Sequence, residues 1–121
     1  MHYTSEQVLS LSPNSANATR GKKLANTTKW PLLGADENGV WGEVKGSGSK
    51  PYLAAIDFNG PAFKCSCLSR EFPCKHGIGL LLLYVNEIEA FQELVMPLWV
   101  DEWINKRTEK DATKKTIEKA P

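Results

Sequence analysis

The sequence lacks several features that would assign it to a functional class at once. Basic and acidic residues nearly cancel, with 15 Lys and Arg against 14 Asp and Glu, which argues against a histone-like protein or a polybasic membrane binder. No apolar run approaches the roughly 20 residues that a membrane span needs. The amino terminus has neither the basic region nor the hydrophobic stretch of a signal peptide. We therefore expect a cytoplasmic protein without a membrane partner.

Cysteine is scarce and unevenly placed. The 121 residues contain three cysteines, an odd number, all between positions 65 and 74. Such a cluster is a poor disulfide framework but a good metal-binding one. The pattern is Cys65-x-Cys67, six residues, then Cys74-x-His76, which supplies the four thiolate and imidazole ligands that structural zinc prefers. We predict one structural zinc ion held by these four side chains.

The spacing of the four predicted ligands suits a strand, a loop and a helix in succession. Residues i and i+2 of a strand share a face, so Cys65 and Cys67 can reach one ion. Cys74 precedes a predicted helix, whose N–H groups favour a thiolate, and His76 lies in its first turn. The alternatives are thiols unrelated to a metal and a catalytic or redox metal. Glu71 is the one nearby candidate for a catalytic base, and it lies inside the loop.

Hydrophobic periodicity predicts an α+β fold. Apolar residues alternate over 40–45 and 52–58, on either side of the Gly- and Ser-rich turn 46–49, which is typical of a hairpin. The dipeptide Asn59-Gly60 is a strong turn signal and leads into a third strand at 61–65. We expect a small antiparallel meander followed by a largely buried helix from His76, which Met96-Pro97 breaks.

Helices are expected on both sides of this core. The N-terminal ones are predicted from Thr4 and from Ser12-Pro13, the latter ending at Trp30-Pro31. A short C-terminal helix is predicted around residues 99–104. We assign residues 1–104 to one domain, with its zinc core at about 40–92. Residues 105–121 have one large apolar residue and are predicted to be a charged flexible linker, which suggests that the chain comes from a longer protein.

Several segments resemble the SWIM-type zinc finger, in particular its bacterial members. The metal motif consists of Cys65–Cys67 and the later segment Phe72–His76. The flanking segments that are also similar are Arg20-Gly21, Trp41–Val44, Gly46–Gly48, Pro51-Tyr52 and Trp99–Trp103. The resemblance covers residues 13–107 and only the N-terminal part of those longer proteins. It implies a ββα zinc-binding core and zinc on the four ligands. It also implies DNA binding or protein–protein interaction.

A protein-interaction adaptor is our first functional hypothesis. The sequence contains four tryptophans, and Trp99 and Trp103 lie beyond the zinc core on a short amphipathic segment. Tryptophan is favoured at the hot spots of protein interfaces, so the two residues form a possible partner surface. The competing interpretation is that both complete a small hydrophobic core.

A DNA-binding module is the alternative hypothesis. Seven basic side chains could form one face for phosphate contacts if the second helix packs near the zinc loop. They are Arg20, Lys22, Lys23, Lys29, Lys64, Arg70 and Lys75. No segment resembles a recognition helix, so such binding would be made through the DNA backbone and would weaken with salt. The competing interpretation is that each is an ordinary solvated charge.

An enzyme is the least favoured class. The Gly46–Ser49 turn lacks the Lys and helix of a phosphate-binding loop. A Cys/His nucleophilic pair would have to be taken from the metal ligands. We therefore predict no catalytic residues and no small-molecule substrate.

Overall fold

The computed structural model describes residues 3–46 and 48–119, with side chains through Glu109. Its elements are α1 (Ser5–Ser10), α2 (Ser15–Leu24), β1 (Leu32–Ala35), β2 (Gly39–Val44), β3 (Tyr52–Asp57), β4 (Ala62–Cys65), α3 (Lys75–Asn86), β5 (Gln92–Glu93) and α4 (Leu98–Lys119). The predicted mixture of helices and sheet is confirmed, whereas the ββα zinc-finger arrangement stays a prediction. None of the described helices is long and apolar enough to cross a membrane. Three parts of the sequence predictions fall outside the described residues. They are the start of the domain at residue 1, Ser47 in the predicted turn, and the last two residues of the predicted linker.

The strands form one five-stranded sheet in the order β4-β3-β2-β1-β5. The predicted meander is its β2-β3-β4 part, in which Val40 is paired with Ile56 and Ile56 with Phe63. The sheet is wider than predicted because β1 adds to β2 and β5 pairs in parallel with β1. These two strands have four and two residues, too few for an alternating pattern to be recognised.

Helices cover both faces of the sheet. Successive strand residues point to opposite faces, so Val40 and Ile56 lie on one face and Trp41 and Ala55 on the other. The first face carries the main core, to which α1 and α3 contribute buried side chains and α2 the partly buried Leu24. On the second face, Val100 of α4 packs with Trp41 and Ala55 in a smaller core.

The helix boundaries follow local hydrogen bonds. Thr4 forms the expected capping box of α1 with Gln7, at 2.9 and 3.1 Å. Asn14, not Ser12, caps α2, because its side chain accepts a hydrogen bond from the Asn17 N–H at 2.8 Å. The helix ends at Leu24, earlier than expected, and the Trp30 indole donates to the Leu24 carbonyl at 2.8 Å. The buried helix is shorter too, since α3 ends at Asn86.

The segment predicted to be a flexible linker continues a helix instead. α4 runs through residue 105 and on to Lys119. Arg107 lies within the predicted linker and holds the buried Asp57 carboxylate at 3.0 Å, and it also donates to the Asn59 carbonyl at 3.3 Å. Its guanidinium lies 5.8 Å from the centre of the Trp103 ring. An anchor of this kind leaves no apolar pattern in the sequence, which is why hydrophobic content alone missed it.

Candidate metal centre

The structure brings the four predicted ligands together. Cys65 is the last residue of β4, Cys67 follows two residues later, Cys74 is the N-cap of α3 and His76 lies in its first turn. The three sulfurs and one ring nitrogen of these residues all lie within 4.8 Å of one another. They therefore form a Cys3His cluster compatible with a metal site.

The distances within the cluster suit a tetrahedral cation. The His76 Nδ1 atom lies 3.6 Å from the Cys65 sulfur and 3.9 Å from the Cys74 sulfur. A tetrahedron with Zn–S bonds of about 2.3 Å and a Zn–N bond of about 2.1 Å has S···N edges of about 3.6 Å. The two S···N separations therefore fit a tetrahedral metal ion bound through Nδ1.

Hydrogen bonds to β3 hold the Cys65–Cys67 segment. Between the two cysteines, the Ser66 N–H donates to the Leu53 carbonyl at 2.9 Å, and the Leu53 N–H donates to the Ser66 hydroxyl oxygen, also at 2.9 Å. The strand itself ends at Cys65, and Cys67 lies in the bend that follows. The expectation that both cysteines lie within one strand is thus corrected. The two hydrogen bonds between Ser66 and Leu53 hold the backbone between Cys65 and Cys67 against β3, although the strand has already ended.

A close approach between α3 and β4 places His76. A Cβ atom at Gly77 would lie 2.8 Å from the Phe63 ring, so the absence of a side chain lets the first turn of α3 rest on β4. His76 is 4% exposed, and its ring centre lies 4.9 Å from that of Tyr52. The packing of the two rings restricts the imidazole, and the Nδ1 atom faces the cysteines.

Asn17 is a supporting residue that sequence reasoning missed. It belongs to α2, is 2% exposed, and its amide donates to the Pro73 carbonyl and to the Ser12 hydroxyl, each at 3.0 Å. Pro73 directly precedes Cys74, so this bond ties α2 to the ligand loop. Asparagine in a polar helix is typical of a surface position, and the sequence carries no signal of this contact.

The thiols of the cluster influence one another strongly. The pKa of Cys74 is lowered, first by the hydrogen bond that the Cys65 thiol donates to its thiolate and then by His76 and the Gly77 N–H, although burial opposes this. The pKa of Cys65 is raised, first by that same hydrogen bond and then by burial. Cys74 is at the start of α3, where helix N–H groups stabilise negative charge, which acts in the same direction as the lowering of its pKa.

Glu71 lies beside the cluster but outside it. One of its carboxylate oxygens is buried and has no hydrogen-bond partner among the described residues. It lines a cavity of about 320 Å³ together with the three cysteines, Phe72 and Trp103. The four-residue cluster does not include it.

The seven basic residues do not share one face. All seven are exposed, but Lys64 pairs with Ala55 in the sheet and therefore points to the face that α4 covers. Arg20, Lys22 and Lys23 belong to α2, on the other side of the sheet. A Cβ atom at Gly21 would lie 3.4 Å from the Lys75 carbonyl, so α2 packs against the start of α3 at this point.

Both tryptophans of the expected partner surface are half-buried. Trp99 and Trp103 pack against the smaller core of Trp41, Ala55 and Val100. They therefore help to attach α4 to the sheet, which agrees with the competing interpretation that both complete a small hydrophobic core.

Comparisons with models of protein families, with curated proteins and with solved structures found no match to this chain. The class of protein that the fold and site define is therefore a mixed helix-and-sheet domain with a possible Cys3His metal centre. Membership of the SWIM-type zinc fingers stays a prediction from sequence resemblance.

Proposed function

We propose that the chain is a SWIM-type module with one structural zinc ion on Cys65, Cys67, Cys74 and His76. The observation that carries this proposal is the gathering of these four donor atoms within 4.8 Å. Zinc would supply a cross-link between the end of β4 and the start of α3. Because structural zinc sites are closed by four protein ligands, we assign the ion no catalytic role.

Metal analysis tests the zinc assignment. Native mass spectrometry of the purified chain should show one zinc per molecule, lost on Cys67→Ser. The variant Ser69→Ala, in the same exposed loop, is the control and should keep the metal. Since metal binding energy in such sites is folding energy, the Cys67→Ser chain should also lose structure around β4 and α3. A fully folded, metal-free protein in excess chelator would contradict the proposal.

We further propose that the module acts as a protein-interaction adaptor within a longer cytoplasmic protein. Among the described residues, large apolar side chains are exposed in two places: Leu68 and Phe72 in the ligand loop, and Ile88, Val95 and Leu98 from the end of α3 to the start of α4. Grouped exposed apolar side chains are typical of binding surfaces. The basic residues, by contrast, are divided between the two faces of the sheet.

Photo-crosslinking in the native cell tests the partner class. A crosslinking amino acid is placed at Leu68, at Val95 or at Lys22, all exposed positions. When the zinc-loaded chain carries the crosslinking amino acid at Leu68 or Val95, we expect it to form covalent adducts with a protein. The adaptor function would be contradicted if only the chain with the crosslinker at Lys22 formed adducts and nuclease removed them. Such adducts would be with nucleic acid, and neither of the other two positions would then contact a protein.

DNA binding is a second candidate because α2, which carries Arg20, Lys22 and Lys23, packs through Gly21 on the start of α3, which carries Lys75. These four cations could contact a phosphate backbone without reading its sequence. Fluorescence anisotropy with labelled duplex and single-stranded DNA over a salt series tests it. Binding that weakens steeply with salt, and further on Arg20→Ala with Lys23→Ala, would support this candidate. Lys50→Ala with Lys106→Ala removes the same charge elsewhere and is the control.

A further inference from the structure

An apolar groove lies at the β5 edge of the sheet, away from the metal centre. It has a volume of about 730 Å³, and its apolar lining includes Tyr84, Ile88, Phe91, Leu94 and Val95. The Tyr84 ring stands edge-on to Phe91 with centres 5.4 Å apart and packs on Phe58 at 5.2 Å. These contacts make Tyr84 and Phe91 the packed aromatic floor of the groove.

The border of the groove is apolar and accessible. Val95 is 94% exposed and Ile88 is 57% exposed, although both are large aliphatic side chains. Their exposure beside a cavity of this size leaves a continuous apolar surface that a partner side chain could cover.

The charged residues of the groove all have one sign. Asp36, Glu37 and Glu93 line it, and none of its described lining residues is Lys, Arg or His. The Asp36 carboxylate is held in place because it accepts hydrogen bonds from the N–H groups of Asn38 and Gly39 at 2.8 and 3.0 Å. Glu37 and Glu93 are exposed and stay available to a partner.

A second cavity continues the apolar surface beyond Val95. It has a volume of about 320 Å³ and shares Leu94 and Val95 with the groove. Trp41 and Trp99 line its inner part, and its one charged lining residue among those described is Glu43. The surface therefore runs from the groove to the face that α4 covers, with carboxylates on both sides of Val95.

We propose that this groove docks a basic segment of another protein, in which an aliphatic or aromatic side chain stands next to Lys or Arg. This inference rests on the adaptor function proposed above. The aromatic floor takes the apolar anchor, and the carboxylates pair with the flanking cations. The same carboxylates repel nucleic acid and acidic peptides, which gives the groove its selectivity.

Peptide selection identifies the preferred occupant. The zinc-loaded full chain is immobilised and used to select from a phage-displayed library of random 12-residue peptides. We expect the enriched peptides to combine Lys or Arg with a large apolar residue. Enrichment of acidic or uncharged peptides, or no enrichment, would overturn the proposal.

Charge reversal then tests the position of binding. The best enriched peptide, labelled with fluorescein, should bind Glu37→Lys with Glu93→Lys about tenfold more weakly or worse in an anisotropy titration. Glu102→Lys with Glu109→Lys, exposed positions on α4 outside the groove, changes the net charge equally and should leave the affinity within about twofold. Equal losses in the two double variants would overturn the assignment, since they would report net charge alone.

Two further results separate this inference from the adaptor function. Protein adducts from Leu68 in cells, without peptide binding at the groove, would overturn the inference and leave the adaptor function intact. Concentration-dependent dimers in sedimentation velocity that disappear on Glu37→Lys with Glu93→Lys would assign the groove to a second copy of the chain, and this too would overturn the inference.

Discussion

Replacement of Asn17 by alanine tests whether α2 supports the metal centre. The Asn17 side chain is buried, and its amide nitrogen is the donor to both the Ser12 hydroxyl and the Pro73 carbonyl. Alanine removes both hydrogen bonds and leaves the Pro73 carbonyl facing a space with no donor. The loop residue before Cys74 then loses its attachment to α2.

The size of the effect follows from these two bonds. A typical intramolecular hydrogen bond contributes about 0.5–1.5 kcal/mol, and a buried group left unsatisfied costs about 1–3 kcal/mol. The Ser12 hydroxyl has solvent access and can be rehydrated, whereas Pro73 is buried. We therefore expect Asn17→Ala to lower the free energy of unfolding by about 2–3 kcal/mol, which is about 30- to 160-fold in the folding equilibrium.

Urea unfolding of the zinc-loaded protein measures this change. The free zinc concentration must be equal in all samples, because a ligand of the folded state adds to the apparent stability. Asn14→Ala is the control: it removes the N-cap of α2, at a cost of about 1 kcal/mol, and does not touch Pro73. A loss for Asn17→Ala no greater than that of the control would refute the reasoning, since the contact with the ligand loop would then contribute nothing.

Four other perturbations have definite expected results. Gly21→Ala places a Cβ atom 2.5 Å from the Ile78 side chain, so urea unfolding should show a loss of about 1–3 kcal/mol despite the better helix propensity of alanine. Arg107→Ala leaves the buried Asp57 carboxylate without its cation, so α4 should become more susceptible to limited proteolysis. Cys67→Ser should abolish stoichiometric zinc in native mass spectrometry. Acidification should release zinc to a chromogenic chelator, because protons compete for the thiolates and imidazole and the stability that zinc adds falls as the pH falls.

The parts of the structure that the sequence predicted are those with local causes. The alternation of side chains in the sequence correctly predicted which residues of β2 and β3 share a face of the sheet, since Val40 is paired with Ile56. The Thr4 capping box needs two residues three apart, and both of its hydrogen bonds are present. The metal cluster was also predictable, because its four residues lie within one short segment whose ligand order is specific.

The parts that the sequence did not predict depend on contacts between distant residues. Asn17 meets Pro73 across 56 positions, and Arg107 meets Asp57 across 50. Each contact is a single polar interaction, and neither side chain belongs to a periodic pattern. β5 is similar, because its two residues pair with β1 only after α3 has returned the chain to that edge.

The metal centre and the groove lie at opposite edges of one sheet. The ligands follow β4 and the groove borders β5, and the four steps between these strands amount to about 19 Å. A docked segment in the groove therefore has no direct contact with the ion. α3 is the element that reaches both, since its first turn carries the ligand His76 and the floor residue Tyr84 lies eight residues further on, about 12 Å along the helix. Zinc should thus raise peptide affinity only by increasing the fraction of molecules in which α3 is folded, and saturating zinc should leave the groove insensitive to further metal.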